Sequence, residues 1–455
     1  MKRISRKRFD AYVDFSRNPL VFGFSEEIRW YENESKTLFG VIALDYTDRD
    51  YTAIILGRDE IGRIRCFNLQ ISFSDIEKAE YWLFESVNRL EESGEFAFPQ
   101  GDQRKKCDLF KPVVDVSRMD TSFNLLNTHP THMAAKSLIS EIMPHFFDID
   151  GNFVEQFQTN GFDSRLWELY LFCYFNEEQL IINRDYFAPD FFLSDGTVEV
   201  GVEAVIVGRK TNNISYDQKS KFDLNVKEEL VNRMPIKFGS PLYSKLTHTN
   251  KKTGAHYWDY SHTKGKPFVI AIADFHGDHS MTWSHPALLT YLYGYTYSHT
   301  YDENGNLIVI PKKVERHIDG TKDIPSGFFF QENAENISAI LTSTSGTISK
   351  FSRIGKQCGF DENNITMIRY GTCYDHDPNA SEPQIFKYLV TEECNETWGE
   401  GVSIYHNPVA KYPLSTDYFQ NAAQFFFKDG FIISQMPEFF PYASFTDLIM
   451  RKGNN

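Results

Sequence analysis

Residues 163–208 read DSRLWELYLFCYFNEEQLIINRDYFAPDFFLSDGTVEVGVEAVIVG. Leu166, Leu169, Tyr170 and Cys173 recur at helical spacing, and Arg165, Glu168, Phe172 and Phe175 form a second stripe. The pattern predicts a helix capped at its start by Asp163 or Ser164, with Glu168 beside an apolar face. Pro189 closes the following turn and opens an extended segment, because proline disfavours helix at the residue before it. After Gly196, Thr197 to Val207 alternates. Val198, Val200, Val202, Ala204 and Ile206 face one way; Glu199, Gly201, Glu203, Val205 and Val207 face the other. Both faces carry β-branched residues, which predicts a strand covered on both sides. A carboxylate at Glu203 in such a strand is costly unless something neutralises it, and a divalent cation shared with Asp190 would do so.

Glu on a helix, then Pro189-Asp190, then a hydrophobic strand carrying Glu203-Ala204-Val205 resembles the PD-(D/E)xK, or restriction-endonuclease-like, nuclease superfamily. The resemblance covers the middle of the chain. Glu168 matches the extra acidic residue that some members carry on the preceding helix. The motif lysine falls on Val205, so it has to come from elsewhere; Lys237 and Lys245, in PIKFGSPLYSKL (residues 235–246), are the nearest candidates. Lys245 is the one expected to reach the carboxylates. The resemblance implies a mixed α/β fold with a central sheet flanked by helices. It also implies a Mg²⁺- or Mn²⁺-dependent endonuclease cutting phosphodiester bonds, DNA being the expected substrate. Asp190 and Glu203 would bind the ion, with Glu168 and the Ala204 carbonyl as further contacts. Glu168, Asp190, Glu203 and Lys245 are then the catalytic set. A role in restriction or antiviral defence would follow from the same resemblance. Two other readings stand beside it. The fold could serve without chemistry, as a scaffold for nucleic acid or a protein, or the chemistry could lie around Asp274 and His276 in an unrelated α/β enzyme. In that last case Glu168 is an ion-pair partner of Arg165, Asp190 a turn residue and Glu203 a chance strand carboxylate.

The 455-residue length points to two or three domains. With 41% apolar and 24% charged residues the chain is globular rather than disordered. A net charge of −15 argues against a simple nucleic-acid binder, so a local basic patch, a partner subunit or a homo-oligomer would have to supply the missing positive surface. No apolar run is long enough for a membrane span, and the start MKRISRKRFDAYVDF lacks a signal-peptide core. The six cysteines share no C-x-x-C spacing, which predicts reduced thiols and a cytoplasmic protein.

The expected divisions are an N-terminal α+β domain over 1–118, a nuclease-like domain over 126–350, and a C-terminal extension over 351–455 that packs on the main body. Residues 1–18 read as a frayed basic terminus or a nucleic-acid arm. The alternating segments from Glu27 to Leu69 predict an antiparallel meander. Ser74 with Glu77 predicts a capping box for the helix that follows, and Gly94 its exit. Phe222 to Met234 reads as a helix, with Gly239 and Pro241 breaking the segment after it. KPFVIAIADFH (266–276) predicts a buried strand, with Asp274, His276, Asp278 and His279 on its rim. Asn304-Gly305 predicts a hairpin, and NISAILTST (336–344) a second buried strand. Cys373, Asp375, His376 and Asp377 read as exposed loop polarity rather than a metal site.

Overall fold

A computed structural model describes residues 1–101, 106–149, 151–209, 229–277, 280–361 and 365–450. The expected helix from Phe222 lies outside these residues up to position 228, as do Asp278 and His279. Among the described residues the chain is a mixed α/β protein with several sheets, and no helix is long and apolar enough to cross a membrane.

The chain opens with β1 (Lys2–Ile4), α1 (Arg6–Val13), β2 (Ser25–Glu32), β3 (Leu38–Asp45), β4 (Tyr51–Arg58), β5 (Ile64–Phe73) and α2 (Ile76–Ser93). Strands β1 to β5 form an antiparallel sheet in sequence order, as the alternation predicts. Leu38, Ile42 and Ile55 pack under α2, while Phe39, Val41 and Leu56 face the rest of the molecule. The sheet is therefore covered on both faces. Asp75 caps α2 by accepting from the Lys78 N–H, one residue on from the expected Ser74, and Gly94 ends it with φ +70°.

The first eighteen residues are not frayed. Phe9, Tyr12 and Val13 of α1 are buried in the main core, and Arg17 is paired with Asp10, Asp14 and Glu27 at 2.6–2.8 Å. The basic residues of this segment look like a solvated run when counted along the chain. Folding turns Arg17 inward onto acids from two elements, and Arg8 onto buried Glu32 at 2.7 Å.

The middle of the chain supplies α3 (Thr121–Thr128), α4 (Met133–Ile142), α5 (Phe153–Gln158), α6 (Phe162–Glu177), β6 (Ile181–Asn183), β7 (Phe191–Ser194) and β8 (Glu199–Val207). It continues through α7 (Met234–Thr247), β9 (Phe268–Asp274), α8 (Met281–Tyr293), β10 (Tyr295–Tyr301) and β11 (Leu307–Lys313). Then come β12 (Arg316–Asp319), β13 (Lys322–Pro325), β14 (Ala339–Ser343), α9 (Ile348–Gln357), β15 (Ile365–Cys373) and β16 (Gln384–Leu389). Four strands close the chain: β17 (Val402–His406), β18 (Ala423–Lys428), β19 (Phe431–Gln435) and β20 (Pro441–Met450).

Eight strands form the main sheet in the order β19-β18-β17-β14-β9-β8-β7-β6. Strands β6, β7 and β8 are an antiparallel meander, and β9 and β14 run parallel to β8. Strand β9 is continuous in apolar residues because it is buried on both sides. Val269, Ala271 and Ala273 meet α6 and its neighbours, while Phe268, Ile270 and Ile272 meet α7 and α8. Helix α6 is buried nearly all round, which its two apolar stripes anticipate. It starts at Phe162 with Gly161 before it and no side-chain cap, so Asp163 sits in the first turn instead, with Arg209 3.6 Å away.

Two local expectations are overturned. The segment after Met234 is one fourteen-residue helix with Pro241 inside it, not a broken loop. Proline within a helix costs roughly 3 kcal/mol. Burying Phe238, Leu242 and Leu246 against the sheet returns about 1.5–3 kcal/mol for each side chain and outweighs that cost. The C-terminal residues do not only pack on the outside of the body: β17, β18 and β19 are strands of the main sheet itself. Of the C-terminal strands described, β15, β16 and β20 form a separate small sheet.

Candidate active site

The Phe191↔Val202 pairing of β7 and β8, continued by one step, sets Asp190 opposite Glu203. Residues directly opposite in an antiparallel pair send their side chains to the same face. Strand β7 ends there, which would leave the Ala204 N–H without a ladder partner. The Asp190 side chain fills that place, Oδ2 accepting from Ala204 N–H at 2.8 Å. Asp190 N–H in turn donates to Glu203 Oε2 at 3.3 Å. The N–H and C=O of a strand residue leave on the same flank, so the Ala204 carbonyl shares that flank with Asp190.

Lys245 comes from the last turn of α7, on the far side of the β8–β9 crossover. Its Nζ donates to Glu203 Oε1 at 2.6 Å. Phe238, Leu242 and Leu246 seat the helix and so aim this amine at the strand. The Tyr257 side chain lies beside Glu203, and Lys245 Nζ stands 5.7 Å from the centre of that ring.

Glu168 approaches from α6. Both of its oxygens accept from Arg165 Nη1, at 2.8 and 3.0 Å, and Arg165 is held by Gln156 Oε1 at 2.8 Å. Burial pushes the Glu168 carboxyl up to about 7; the neighbouring Asp190 adds to the rise and Arg165 opposes it. Glu203 is also raised to about 7, by burial first and by Asp190 next, against the pull of Lys245. Burial raises Asp190 as well, with Lys245 and the Ala204 N–H holding it back. Three carboxyls thus share a buried region with too little positive charge to ionise all of them easily.

Among the described residues, no three His, Cys, Asp or Glu side chains converge closely enough to hold a metal ion by themselves. Glu168, engaged with Arg165, does not complete a ready-made cage. The remaining oxygen set is Asp190, Glu203 and the Ala204 carbonyl. Such a set fits a hard cation that keeps several waters, as Mg²⁺ does.

Arg184 and Tyr257 were not singled out by the sequence reading. Arg184 is a lone basic residue in the apolar run IINRDYFAP, a signal that was legible. Its guanidinium lies 4.2 Å from the Phe146 ring centre and 4.9 Å from that of Phe191, next to Glu168 and Asp190. Lys237 lies on α7 eight residues before Lys245. Asp274 ends β9, four pairs along the ladder from the residue opposite Glu203, and holds His276 Nδ1 at 2.5 Å. Asp375 accepts from the Asp377 N–H, and His376 Nε2 donates to the Glu438 carbonyl at 3.0 Å, as turn residues do. All six cysteines are free thiols. Comparison of the chain with family models, with curated proteins and with solved structures gives no match.

Proposed function

We propose that the protein is a metal-dependent phosphodiesterase of the PD-(D/E)xK kind, acting on DNA, with its lysine supplied by a helix instead of the strand. The observation that carries this reading is the meeting of Asp190, Glu203 and Lys245 from three elements, with 2.6 Å between amine and carboxylate. The succession of helix, hairpin and parallel strand around them supports the same family resemblance.

In this reading Asp190, Glu203 and the Ala204 carbonyl would hold Mg²⁺ or Mn²⁺, which would supply acidification of the attacking water and offset charge on the phosphate. Lys245 fixes the direction of Glu203 and presents a positive charge where negative charge grows on the phosphoryl oxygens. Glu168, raised to about 7, can orient a water and hold a proton near neutral pH. A defence or restriction role rests on the family resemblance alone.

One observation favours a second reading, a scaffold without chemistry. Every carboxylate of the site already has a partner within the protein, so the cluster also suits a purely structural role. Plasmid and linear DNA incubated with Mg²⁺ or Mn²⁺ separate the two. Cleavage by the wild type should be lost in Asp190→Ala and Glu203→Ala variants that keep their fold by circular dichroism. Full cleavage by both variants removes the assignment. No cleavage by the wild type, with no Mn²⁺-dependent rise in Tm, leaves the scaffold.

A further inference from the structure

The loop from Arg184 to Asp190 joins β6 to β7 and ends on the proposed metal-binding carboxylate. It is short, and it is pinned in the middle. The Tyr186 ring stacks on His262 at 3.8 Å with 4° between planes, and Tyr260 continues the stack on His262 at 5.7 Å. His262 Nε2 donates to the Ala188 carbonyl at 2.8 Å. The residue between these two anchors, Phe187, is 83% exposed. Its outward direction is set by fixed neighbours on both sides, so this is not a slack loop that happens to carry a phenylalanine. An apolar ring held in water in this way buries nothing within the protein and is placed to receive a flat partner.

At the other end of the same loop the Arg184 guanidinium lies between the Phe146 and Phe191 rings. Its Nε and Nη1 are buried and have no hydrogen-bond partner. Nε and Nη1 are sealed from solvent, so a phosphate oxygen beside the proposed phosphodiesterase site would meet the guanidinium at Nη2, as a charge-assisted contact and not as a two-donor fork. Within seven residues the chain therefore presents a spare phosphate donor, a projecting ring and a metal-binding acid.

We infer that residues 184–190 clamp an unpaired nucleotide of a DNA strand, Arg184 binding its phosphate and Phe187 stacking on its base. The inference rests on the phosphodiesterase reading and names the substrate class for that site. A stacked base inside a duplex offers no free face to Phe187, so single-stranded DNA, not duplex, is the preferred ligand.

The test is fluorescence anisotropy with a labelled single-stranded oligonucleotide and its blunt duplex, with Ca²⁺ replacing Mg²⁺. The wild type should prefer the single strand. Phe187→Ala should weaken single-strand binding by about ten-fold, the loss of one base stack, and leave duplex binding unchanged. Phe187→Trp should restore it. Arg184→Met should weaken binding and lower the slope of log affinity on log salt by about 0.7, the loss of one single-strand phosphate contact. Unchanged single-strand affinity in Phe187→Ala, or an equal loss on duplex, overturns the inference even if the wild type cleaves DNA. A wild type that neither binds nor cleaves DNA removes the phosphodiesterase reading and the clamp with it.

Discussion

The Glu203 carboxylate is contested by three parties: a proton, the Lys245 amine and the proposed cation. Its carboxyl is raised to about 7, so at pH 6 the metal-free protein keeps a proton that a cation has to displace. The apparent affinity for Mn²⁺ should therefore rise by about ten-fold per pH unit below 7 for each proton released, and level off above. Titration calorimetry between about pH 5.5 and pH 8 measures it, and an affinity independent of pH would count against Glu203 as a ligand. Stability without metal responds in the opposite direction. A folded carboxyl that holds its proton more tightly than the unfolded one favours folding at low pH, and that contribution fades as pH rises from the ordinary carboxylate range to about 7. At this scale the sequence was informative because cost is local. An acid in a strand apolar on both faces needs a partner whatever the rest of the fold does. Glu203, with Asp190 as its companion, follows from that cost and Lys245 from the family resemblance, whereas Tyr257 depends on a loop whose path no periodicity encodes.

Helix α7 shows where local rules fail. Gly239 and Pro241 are breakers by propensity, yet the segment is helical because Phe238, Leu242 and Leu246 need one continuous face on the sheet. Gly239 has its own reason: a Cβ there would come within 2.6 Å of the Ile324 side chain. Leu242 lies one turn before Lys245 and is fully buried. Leu242→Ala should cost about 2–4 kcal/mol in chemical denaturation. It should also lower the cleavage rate at temperatures where the variant is still folded, because the amine loses the seat beneath it. Destabilisation with an unchanged rate would mean that Lys245 is positioned by its bond to Glu203 alone. The meander, the α2 exit at Gly94 and strand β9 were legible because periodicity and turn chemistry agreed with the tertiary outcome. The N-terminal segment was not, since its charges are neutralised by residues whose approach only folding creates.

Across the molecule, a second charge centre ties the C-terminal part to the body. Glu396 is buried and accepts from Arg353 Nε and Nη2 at 2.7 Å each, with Lys350 at 3.1 Å and Arg369 at 3.5 Å. These cations, Arg353 first, hold its carboxyl far below the usual range against the opposing effect of burial. Glu396→Ala would leave three buried cations with too little compensation and should cost about 3–5 kcal/mol, read from the urea midpoint. A loss below about 1 kcal/mol would show that water or Glu400 takes over the role. The expected division into three domains looked for breaks along the chain. The core under α2 stays within the first of these, but the two larger cores cross the breaks: α1 packs with α4 and Phe360, and the main sheet recruits strands from beyond residue 400.

That recruitment has a bearing on how the chain is made. Strand β14 is bounded on one side by β9, already synthesised, and on the other by β17, which begins fifty-nine residues after β14 ends. While the ribosome is still adding those residues, the outer rim of β14 has bare amide and carbonyl groups facing water, a surface on which any other emerging extended chain can dock. The half of the molecule that carries the candidate site is thus translated first but can be sealed only near the end of translation, so a stalled or prematurely terminated product would carry that site on an unfinished and adhesive sheet.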